Sequence, residues 1–539
     1  MDTSIKIALT LSGGGYRAAA FHLGVLSYLY SFKLSGEDSL LDKVYAMSTI
    51  SGGTITGLRY MLGISRREHP ENVFNSLYNF FVGEDLANKA MVRLREKKEN
   101  QTVSLIRTMS DIYNEKLFCG ARLGKLMDNL GKNHIKHFSA NATDFVNALP
   151  FRFQATEGRQ ITNTGYGIIG NKKLPLPRTI AKHIRLSDIL ACSSCFPGGF
   201  EPMVFPADFD LGESQEVKDY IEKTVSFGIM DGGIVDNQGI EPVILAEDRM
   251  VKNISDEKSA GFDLVIISDV SSPYMKPYKP SSPNLSGLLK RLTLNKISKW
   301  LWVFEIVISL LTVVSLYLAP GSFVSGALLV ILTVISVLLF SYSVLKKKLI
   351  KLVKNTVAEK SISEIINLRA GDIAALVSNR LSSVAMLVST VFMKHIRRMN
   401  YRSAYDRNSW KNRLIMNGIY ELRPGESWVS KLINKGIPEY LRPGELIQKT
   451  TEKAAAMGTT LWFTEKEKAE GVHNALIATG QYTICFNLIE YIELIKKKTA
   501  NTNKRHKYLI SLEDRLKSDW EEFQKDPMYM MGLFVSLKK

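Results

Sequence analysis

Strands that lead directly into helices are the first indication of fold class, and they predict an α/β protein. Residues 5–11 (IKIALTL) are apolar and β-branched at their start, which is typical of a buried strand. Residues 17–32 follow with apolar side chains at helical spacing. Residues 42–48 (DKVYAMS) and 54–62 (TITGLRYML) repeat this order, and 263–268 (DLVIIS) predict a further strand.

Three consecutive glycines, Gly13, Gly14 and Gly15, occupy the first junction. Glycine lets the backbone turn sharply and brings N–H groups close to a ligand, and the start of a helix favours negative charge. Such a loop holds a phosphate or a developing oxyanion, or is a plain tight turn. The phosphate-loop and GxGxxG patterns both fail because Tyr16 and Arg17 follow the glycines. The oxyanion hole is therefore the better interpretation.

The second junction places Ser51 between the predicted strand and helix, followed by Gly52 and Gly53. This arrangement is typical of a nucleophile elbow, in which a strained turn pushes a serine hydroxyl out of the backbone. Thr49 stands where that pattern has its first glycine, and Gly53 keeps the second. A serine that merely caps the following helix is the structural alternative.

A nucleophilic serine needs a base, and Asp231 is the better candidate. It follows a predicted strand at 225–230 and precedes two glycines. A partly desolvated carboxylate can have a raised pKa and accept the serine proton. Asp-Gly-Gly is also a common turn signal. None of the eight histidines lies in a recognisable triad context, although spacing does not exclude one.

Taken together, these elements resemble the patatin-like phospholipases, a family related to the cytosolic group IV phospholipases. The matching stretches follow the family order within residues 5 to about 270. They are residues 12–17 (SGGGYR), 51–53 (SGG), 151–157 (FRFQATE), 191–202 (ACSSCFPGGFEP) and 231–237 (DGGIVDN). The chain departs from the patatin pattern at Thr49 and at Ala18.

The resemblance implies a three-layer α/β hydrolase with a central, mainly parallel sheet. It implies Ser51 as nucleophile and Asp231 as base, with no third histidine, no metal and no cofactor. It places the oxyanion hole in the backbone amides of Gly13, Gly14 and Gly15. It also implies that Arg17 either fixes this loop or faces the lipid phosphate.

Two apolar runs in the middle of the chain predict a transmembrane hairpin. Residues 300–318 and 323–345 are each about the 20 residues that a helix needs to cross roughly 30 Å of hydrocarbon. The connecting residues 319–322 (APGS) form a tight turn without charge. Glu305 is the one charge inside the runs, close enough to the Trp-rich end to reach the interface.

Basic residues flank both ends of this hairpin, so the positive-inside rule predicts that both ends are cytoplasmic. They are Lys290, Arg291, Lys296 and Lys299 before it, and Lys346, Lys347, Lys348, Lys351 and Lys354 after it. The N-terminus shows no signal peptide and goes almost directly into the first strand. These features predict a two-helix membrane protein with both termini in the cytoplasm, in the inner membrane of a bacterium.

The predicted domains are a catalytic domain at 1–285, the hairpin at 286–355, and a mainly helical region at 356–539 that completes the catalytic domain. Within this last region, residues 361–398 predict a long helix or two. Their strongly apolar part, 381–393, is interpreted as a core helix packed on the hydrolase. Residues 458–463 (GTTLWF) predict a strand, and 471–495 predict a helix.

The net charge of +17 suits a protein that contacts anionic lipid. The sequence contains no nucleic-acid-binding motif, and the clearest basic clusters flank the hairpin. Residues 394–398 and 496–498 are further lipid contacts or solvated helix faces. The four cysteines indicate no disulfide framework, and the pair Cys192 and Cys195 is interpreted as small core residues.

The expected function is a membrane-anchored serine lipid acyl hydrolase that acts on phospholipids of its own bilayer, without nucleic acid. The alternatives are an inactive membrane scaffold of the same fold and an acyl thioesterase. An enzyme beside its substrate needs restraint, so a homo-oligomer or a regulatory partner is expected to control access to Ser51. A regulated bacterial effector fits this expectation.

Overall fold

The computed structural model describes residues 5–34, 38–83, 85–96, 104–157, 168–252, 261–273, 277–280, 293–354, 368–425, 436–498 and 504–535. The chain divides into two compact units. The first comprises Met1–Tyr274 and Phe392–Lys539, and the second comprises Met275–Val391. The predicted hairpin at 286–355 lies inside the second unit, and the predicted C-terminal region at 356–539 is divided between the two.

Ten strands in the described residues join one sheet. They are β1 Ile7–Leu11, β2 Val44–Ile50, β3 His137–Asp144, β4 Leu149–Thr156, β5 Ile169–Gly170, β6 Pro175–Leu176, β7 Met203–Phe205, β8 Phe227–Asp231, β9 Leu264–Asp269 and β10 Leu414–Gly418. The main order is β10-β9-β1-β2-β3-β4-β5-β6, and β8 pairs with β3 and β7. Strands β10, β9, β1, β2 and β3 run parallel, whereas the remaining pairings are antiparallel.

The helices of the first part of the chain follow the strands closely. They are α1 Gly15–Ser31, α2 Gly52–Ser65, α3 Pro70–Gly83, α4 Leu86–Arg95, α5 Leu105–Tyr113, α6 Leu123–Asn129, α7 Arg178–Ala181, α8 Leu186–Ser194, α9 Gln215–Lys223, α10 Gly233–Asp236 and α11 Ile240–Lys252. The second part contains α12 Leu294–Leu318, α13 Phe323–Lys354, α14 Ala370–Met386, α15 Met393–Tyr405, α16 Glu445–Ala456, α17 Glu465–Ala469, α18 Val472–Lys498, α19 Lys504–Ile510, α20 Glu513–Lys525 and α21 Gly532–Val535.

Helices cover both faces of the sheet, which gives the three-layer arrangement. Successive side chains of a strand point to opposite faces. Accordingly Ile7 and Leu9 join the large core shared with α1, while Ala8 joins a smaller core on the other face with α11. Because both faces are buried, the parallel strands carry the near-continuous apolar runs seen in the sequence.

The C-terminal part of the chain is built into the catalytic unit. Strand β10 pairs with β9 in parallel, and α18 crosses α1 with direct backbone contact. A Cβ on Gly24 would overlap the Ile477 carbonyl oxygen, and a Cβ on Gly480 would overlap that of Phe21. Glycine at both positions lets the two helices approach this closely. Helix α18 confirms the predicted helix at 471–495.

The second unit contains the two apolar helices of the predicted hairpin. Residues Lys299–Leu318 and Phe323–Val344 are each long and apolar enough to cross a membrane. The Ser336 hydroxyl donates a hydrogen bond of 2.9 Å to Glu305, so the one acidic side chain of the hairpin is paired across it. Most of the large apolar side chains of these helices are exposed.

Two predictions for the C-terminal region are wrong. Residues 381–393 do not form a core helix, because Leu381 and Val384 are 68% and 57% exposed. This run belongs instead to a third apolar candidate span at Gly371–Tyr405. Residues 458–463 are irregular rather than a strand. The part of the predicted helix at 361–367 lies outside the described residues.

Candidate active site

Ser51 lies on a strained turn between β2 and α2. Its φ of 49° is unusual for a residue with a side chain. The Ser51 N–H donates to the Ser193 hydroxyl at 2.9 Å, and that hydroxyl donates to the Asn141 carbonyl at 2.7 Å. Within the described first turn of α2, the Ser51 side chain makes no capping hydrogen bond. This geometry is that of a nucleophile elbow and differs from a simple helix cap.

The two glycines after Ser51 are required by close backbone packing. A Cβ on Gly52 would overlap the Gly15 carbonyl oxygen, and a Cβ on Gly53 would overlap that of Leu11. The start of α2 therefore rests directly on the loop between β1 and α1. A larger residue at either position would push Ser51 away from residues 13–15, the glycine loop.

Thr49, which replaces the usual first glycine of the elbow, is accommodated one turn into α2. A Cβ on Gly57 would overlap the Thr49 methyl carbon, so the missing side chain of Gly57 provides the space. The Thr49 hydroxyl donates to the Ser139 carbonyl at 3.3 Å and accepts from Thr54 at 3.1 Å. The elbow can contain the larger side chain of Thr49 because Gly57, which packs against it, has no side chain.

Asp231 is the last residue of β8, and the pairing of strands in the sheet places it near Ser51. It pairs with Ala142 of β3, the neighbour of β2. The Ser51 hydroxyl lies close enough to its carboxylate to lower the pKa of that group, and the Gly233 N–H donates to Oδ1 at 2.6 Å. Burial raises the pKa of Asp231 to about 6, while the Gly233 N–H and the Ser51 hydroxyl act in the opposite direction.

The glycine loop lies beside the serine. A Cβ on Gly13 would be 3.1 Å from the Ser51 Cβ. The Gly13 N–H, however, donates to the Asn237 carbonyl at 3.1 Å, which corrects the expectation that all three amides face an oxyanion. Gly14 has a φ of 149° and Gly15 a φ of 59°, and they open the first turn of α1. Helical N–H groups at this position have no partner within the helix.

A segment from the C-terminal part covers this loop. The Tyr16 N–H donates to the Thr460 carbonyl at 2.8 Å, and a Cβ on Gly15 would overlap the same oxygen. Arg17 is 8% exposed and donates from Nη1 to the Tyr420 hydroxyl at 3.1 Å and to the Met457 carbonyl at 2.9 Å. The guanidinium therefore ties the loop to the C-terminal part instead of lying open to solvent.

The histidine of helix α1, His22, is bonded to residues other than Ser51. His22 bonds the Ser12 carbonyl through Nε2 and the Ser268 hydroxyl through Nδ1, both at 3.1 Å. Burial lowers the pKa of His22 to about 4, which keeps it neutral. The Ser51 hydroxyl lies instead near the carboxylate of Asp231.

The two cysteines of the CxxC pair are buried and free. The Cys195 thiol donates to the Glu201 carbonyl at 2.8 Å, and the Cys195 carbonyl accepts from the Asp231 N–H at 3.0 Å. Burial raises the pKa of both thiols. Their interpretation as small core residues is confirmed, and their segment also positions Asp231.

Several supporting residues were not identified from the sequence. Ser193, Asn141 and Asn237 hold the elbow and the glycine loop through hydrogen bonds, and Thr460 covers the loop. Ser193 and Asn237 lie in stretches that matched the family pattern, but the pattern does not say what they contact. Thr460 carried no signal, since its contribution is a backbone carbonyl.

Comparison with known proteins identifies the family of the domain that contains this site. Residues 9–244 match the model of the patatin-like phospholipase family. A comparison with curated proteins found no match. The matched range includes the glycine loop, Ser51 and Asp231. The chain therefore contains a patatin-like phospholipase domain and is a hydrolase that acts on lipid esters.

Proposed function

We propose that this chain is a membrane-anchored serine lipid acyl hydrolase, of the phospholipase A or lysophospholipase type, with a dyad of Ser51 and Asp231. The observation that carries the proposal is the strained turn at Ser51, whose hydroxyl lies near the buried carboxylate of Asp231. Strain at a polar residue between a strand and a helix is a feature of nucleophiles.

In the first half-reaction, Ser51 Oγ attacks the acyl carbonyl carbon while Asp231 accepts the hydroxyl proton. The tetrahedral intermediate collapses, the bond to the leaving oxygen breaks, and Asp231 returns the proton to that oxygen. In the second half-reaction, Asp231 takes a proton from water as the water attacks the acyl-enzyme. The fatty acid leaves and Ser51 regains its proton.

Asp231 suits both steps because its pKa of about 6 lies near neutral pH. A base is most effective when it is mostly deprotonated and still basic enough to accept a proton. Burial provides this balance, because it destabilises the charged form without placing a second charge beside the serine.

The amides of Gly14 and Gly15 are the proposed oxyanion donors, and Gly13 shapes the loop. Donors of this kind act without reorganisation, and the loss of one raises the barrier by roughly 3–4 kcal/mol. Arg17 and the Thr460 carbonyl hold the loop in position from the far side. We therefore assign Arg17 to loop stabilisation, one of its two expected roles.

The deciding experiment measures fatty-acid release from labelled phosphatidylethanolamine and phosphatidylglycerol vesicles. Wild-type protein should release fatty acid, while Ser51→Ala and Asp231→Asn should not. The matched controls Ser76→Ala and Asp128→Asn make the same chemical changes outside the site and should retain activity. Release that persists in Ser51→Ala would contradict the nucleophile assignment.

Two alternatives are separated by additional readouts. An inactive scaffold would release nothing and would not react with a fluorophosphonate probe, whereas an enzyme awaiting an activator would label at Ser51. A thioesterase would cleave acyl thioesters through the same dyad and leave phospholipid vesicles intact.

The hairpin is the proposed membrane anchor. Its two candidate spans, Lys299–Leu318 and Phe323–Val344, expose apolar side chains that hydrocarbon would cover. Glu305, which Ser336 partners within the hairpin, is less costly to place near the membrane interface. We propose that both ends are cytoplasmic, as the flanking basic residues predict.

The third candidate span, Gly371–Tyr405, does not cross the bilayer in this proposal. Its last part belongs to the catalytic unit, where Lys394 bonds the Ser272 carbonyl and Asn400 bonds that of Val235. Moreover, β9 precedes these helices and β10 follows them, yet the two strands pair. Paired strands must lie on the same side of the membrane. The chain between β9 and β10 must therefore cross the bilayer an even number of times.

Helix α14 therefore lies along the membrane surface in this proposal. Its apolar positions recur at helical spacing, at Ile373, Val377, Leu381 and Val384, while Asp372 and Arg380 interrupt the run. Helices with one apolar stripe and charged flanks bind in the plane of the interface.

Cysteine labelling tests this topology. Native Cys119 is the exposed cysteine of the catalytic unit, and Ala319→Cys would mark the turn of the hairpin. An impermeant maleimide should label Ala319→Cys in intact cells and Cys119 only after permeabilisation. Equal protection of both positions would contradict a spanning hairpin.

An apolar rim near the dyad is the proposed path for lipid. Phe145 and Val146 are 58% and 68% exposed on the turn between β3 and β4, and Phe196 is 43% exposed beside Cys195. The Phe145 N–H donates to Gly228 in the strand that ends at Asp231. Exposed apolar groups beside a lipid site are suited to contact the bilayer.

A further inference from the structure

A cleft of about 660 Å³ opens at the carboxyl ends of β9 and β10, in the same compact unit as Ser51. One wall is α15, which contributes three arginines and two tyrosines: Arg397, Arg398, Arg402, Tyr401 and Tyr405. In α/β proteins, ligands bind in crevices at the carboxyl ends of the strands. A volume of this size fits a small organic molecule.

The cleft adjoins the oxyanion loop through two hydrogen-bonded routes. Ser271, which lines it, accepts from Asn237 Nδ2 at 2.9 Å, and the Asn237 carbonyl accepts from the Gly13 N–H at 3.1 Å. Tyr420, another lining residue, accepts from Arg17 at 3.1 Å. A ligand in the cleft would therefore touch residues that hold the proposed oxyanion hole.

The two acidic side chains of the cleft are already satisfied. Asp269 is 3% exposed, receives the Arg397 Nε–H at 2.9 Å and the Tyr401 hydroxyl at 2.6 Å, and has a pKa below its usual value because these partners outweigh its burial. Glu421 accepts from Asn487 at 3.0 Å. Asp269 is therefore paired with Arg397 and not with the other arginines of this wall.

The remaining arginines are available to a ligand. Among the described residues, Arg398 has no ion pair. Arg402 pairs with Asp406 at 3.2 Å on its own helix, where the side chains are 83% and 69% exposed. An exposed pair of this kind contributes little and is readily exchanged for a stronger partner. Lys394 lies one turn earlier on the same helical run.

We propose that this cleft binds a phosphate group, carried by a lipid head group or by a soluble phosphate ester. Arginine binds phosphate through paired N–H donors, and the tyrosine rings provide an apolar edge for the rest of the ligand. The proposal rests on the proposed function, because the bound phosphate would lie beside the loop that is proposed to bind the oxyanion.

Binding can be measured without hydrolysis, in full-length Ser51→Ala protein in neutral detergent. The probes for calorimetry are glycerol 3-phosphate, dihexanoyl phosphatidylglycerol and uncharged glycerol. The test variant combines Arg398→Gln and Arg402→Gln, which leaves the Arg397 pair with Asp269 intact. The matched control is Arg178→Gln, an exposed arginine outside the cleft.

We expect both phosphate probes to bind and glycerol not to bind. The double variant should raise the Kd of each phosphate probe about tenfold or more, since hydrogen bonds to charged groups are among the stronger ones. The control should change it less than twofold. Tighter binding of the lipid probe would identify a head-group site, and tighter binding of glycerol 3-phosphate would identify a soluble ligand.

Two results would overturn the proposal. One is the absence of binding by both phosphate probes, and the other is a double variant that behaves like Arg178→Gln. An unchanged melting temperature shows that the variants remain folded. Because fluorophosphonate labelling and fatty-acid release test the dyad separately, a failure of this site is distinguishable from a failure of the proposed function.

Discussion

Replacing Gly57 with alanine tests how the elbow accommodates Thr49. The new Cβ would overlap the Thr49 methyl carbon and would lie 3.3 Å from both Leu11 Cδ1 and Met47 Sδ. Overpacking of this kind destabilises a core by about 1–3 kcal/mol. Alanine in a helix interior recovers about 1 kcal/mol over glycine, so we expect a net loss of roughly 0–2 kcal/mol.

Activity should fall more clearly than stability, because a shift of α2 moves Ser51. Small displacements of a reacting group have large kinetic effects, and we expect fatty-acid release to drop about tenfold or more. The compensating change is Thr49→Ser, which removes the methyl group and keeps the hydroxyl that bonds Ser139. The double variant should regain most of the activity and of the melting temperature.

The assay is a double-mutant cycle with melting temperature and vesicle hydrolysis as readouts. The control is Gly83→Ala, where a Cβ meets nothing within 4 Å. Additive effects of Gly57→Ala and Thr49→Ser would refute the reasoning, because they would show that the two side chains do not share one space.

Four further predictions concern the dyad and its surroundings. Fatty-acid release should rise with pH through about 6, since Asp231 must lose its proton to act as a base, and a profile flat across this range would contradict that role. Asp231→Asn should abolish release and yet raise the melting temperature at pH 7. Because burial raises the pKa of Asp231, its ionisation destabilises the folded state above about pH 4, and asparagine removes that cost. A lower melting temperature of this variant would count against the argument. Ser193→Ala leaves the Ser51 N–H unpaired, so we expect a loss of about 1–3 kcal/mol and reduced labelling of Ser51 by fluorophosphonate. Phe145→Ser with Phe196→Ser should lower release from vesicles several-fold and leave hydrolysis of a soluble ester unchanged; equal losses on both substrates would argue against a lipid-facing rim.

Local patterns in the sequence were sufficient to predict the strands and helices around the candidate site. Apolar periodicity located the strands and helices around Ser51, and glycine runs marked the sharp turns that other residues cannot adopt. The hairpin was equally accessible, because two apolar runs of membrane-spanning length are a property of composition alone. Helix α18 and strand β9 were located by the same kind of pattern.

The same patterns gave wrong predictions where the burial of a segment depends on the groups that pack against it. Residues 381–393 are apolar enough for a core, but periodicity does not say whether protein or lipid covers them, and side chains such as Leu381 and Val384 are exposed. Residues 458–463 have strand-like composition, yet their backbone is used to cover the glycine loop through Thr460. In both cases the environment, and not the local preference, decided the outcome.

By itself the sequence determined the fold class and the two long apolar helices, and it predicted the two candidate dyad residues, because each of these depends on neighbours along the chain. Only the tertiary structure decided that Asp231 lies near Ser51 and that the Gly13 amide donates to Asn237. It also decided that Arg17 faces Tyr420 and Met457, which are 403 and 440 positions away. Contacts across such distances arise from the packing of the whole sheet and its helices, and no local pattern encodes them.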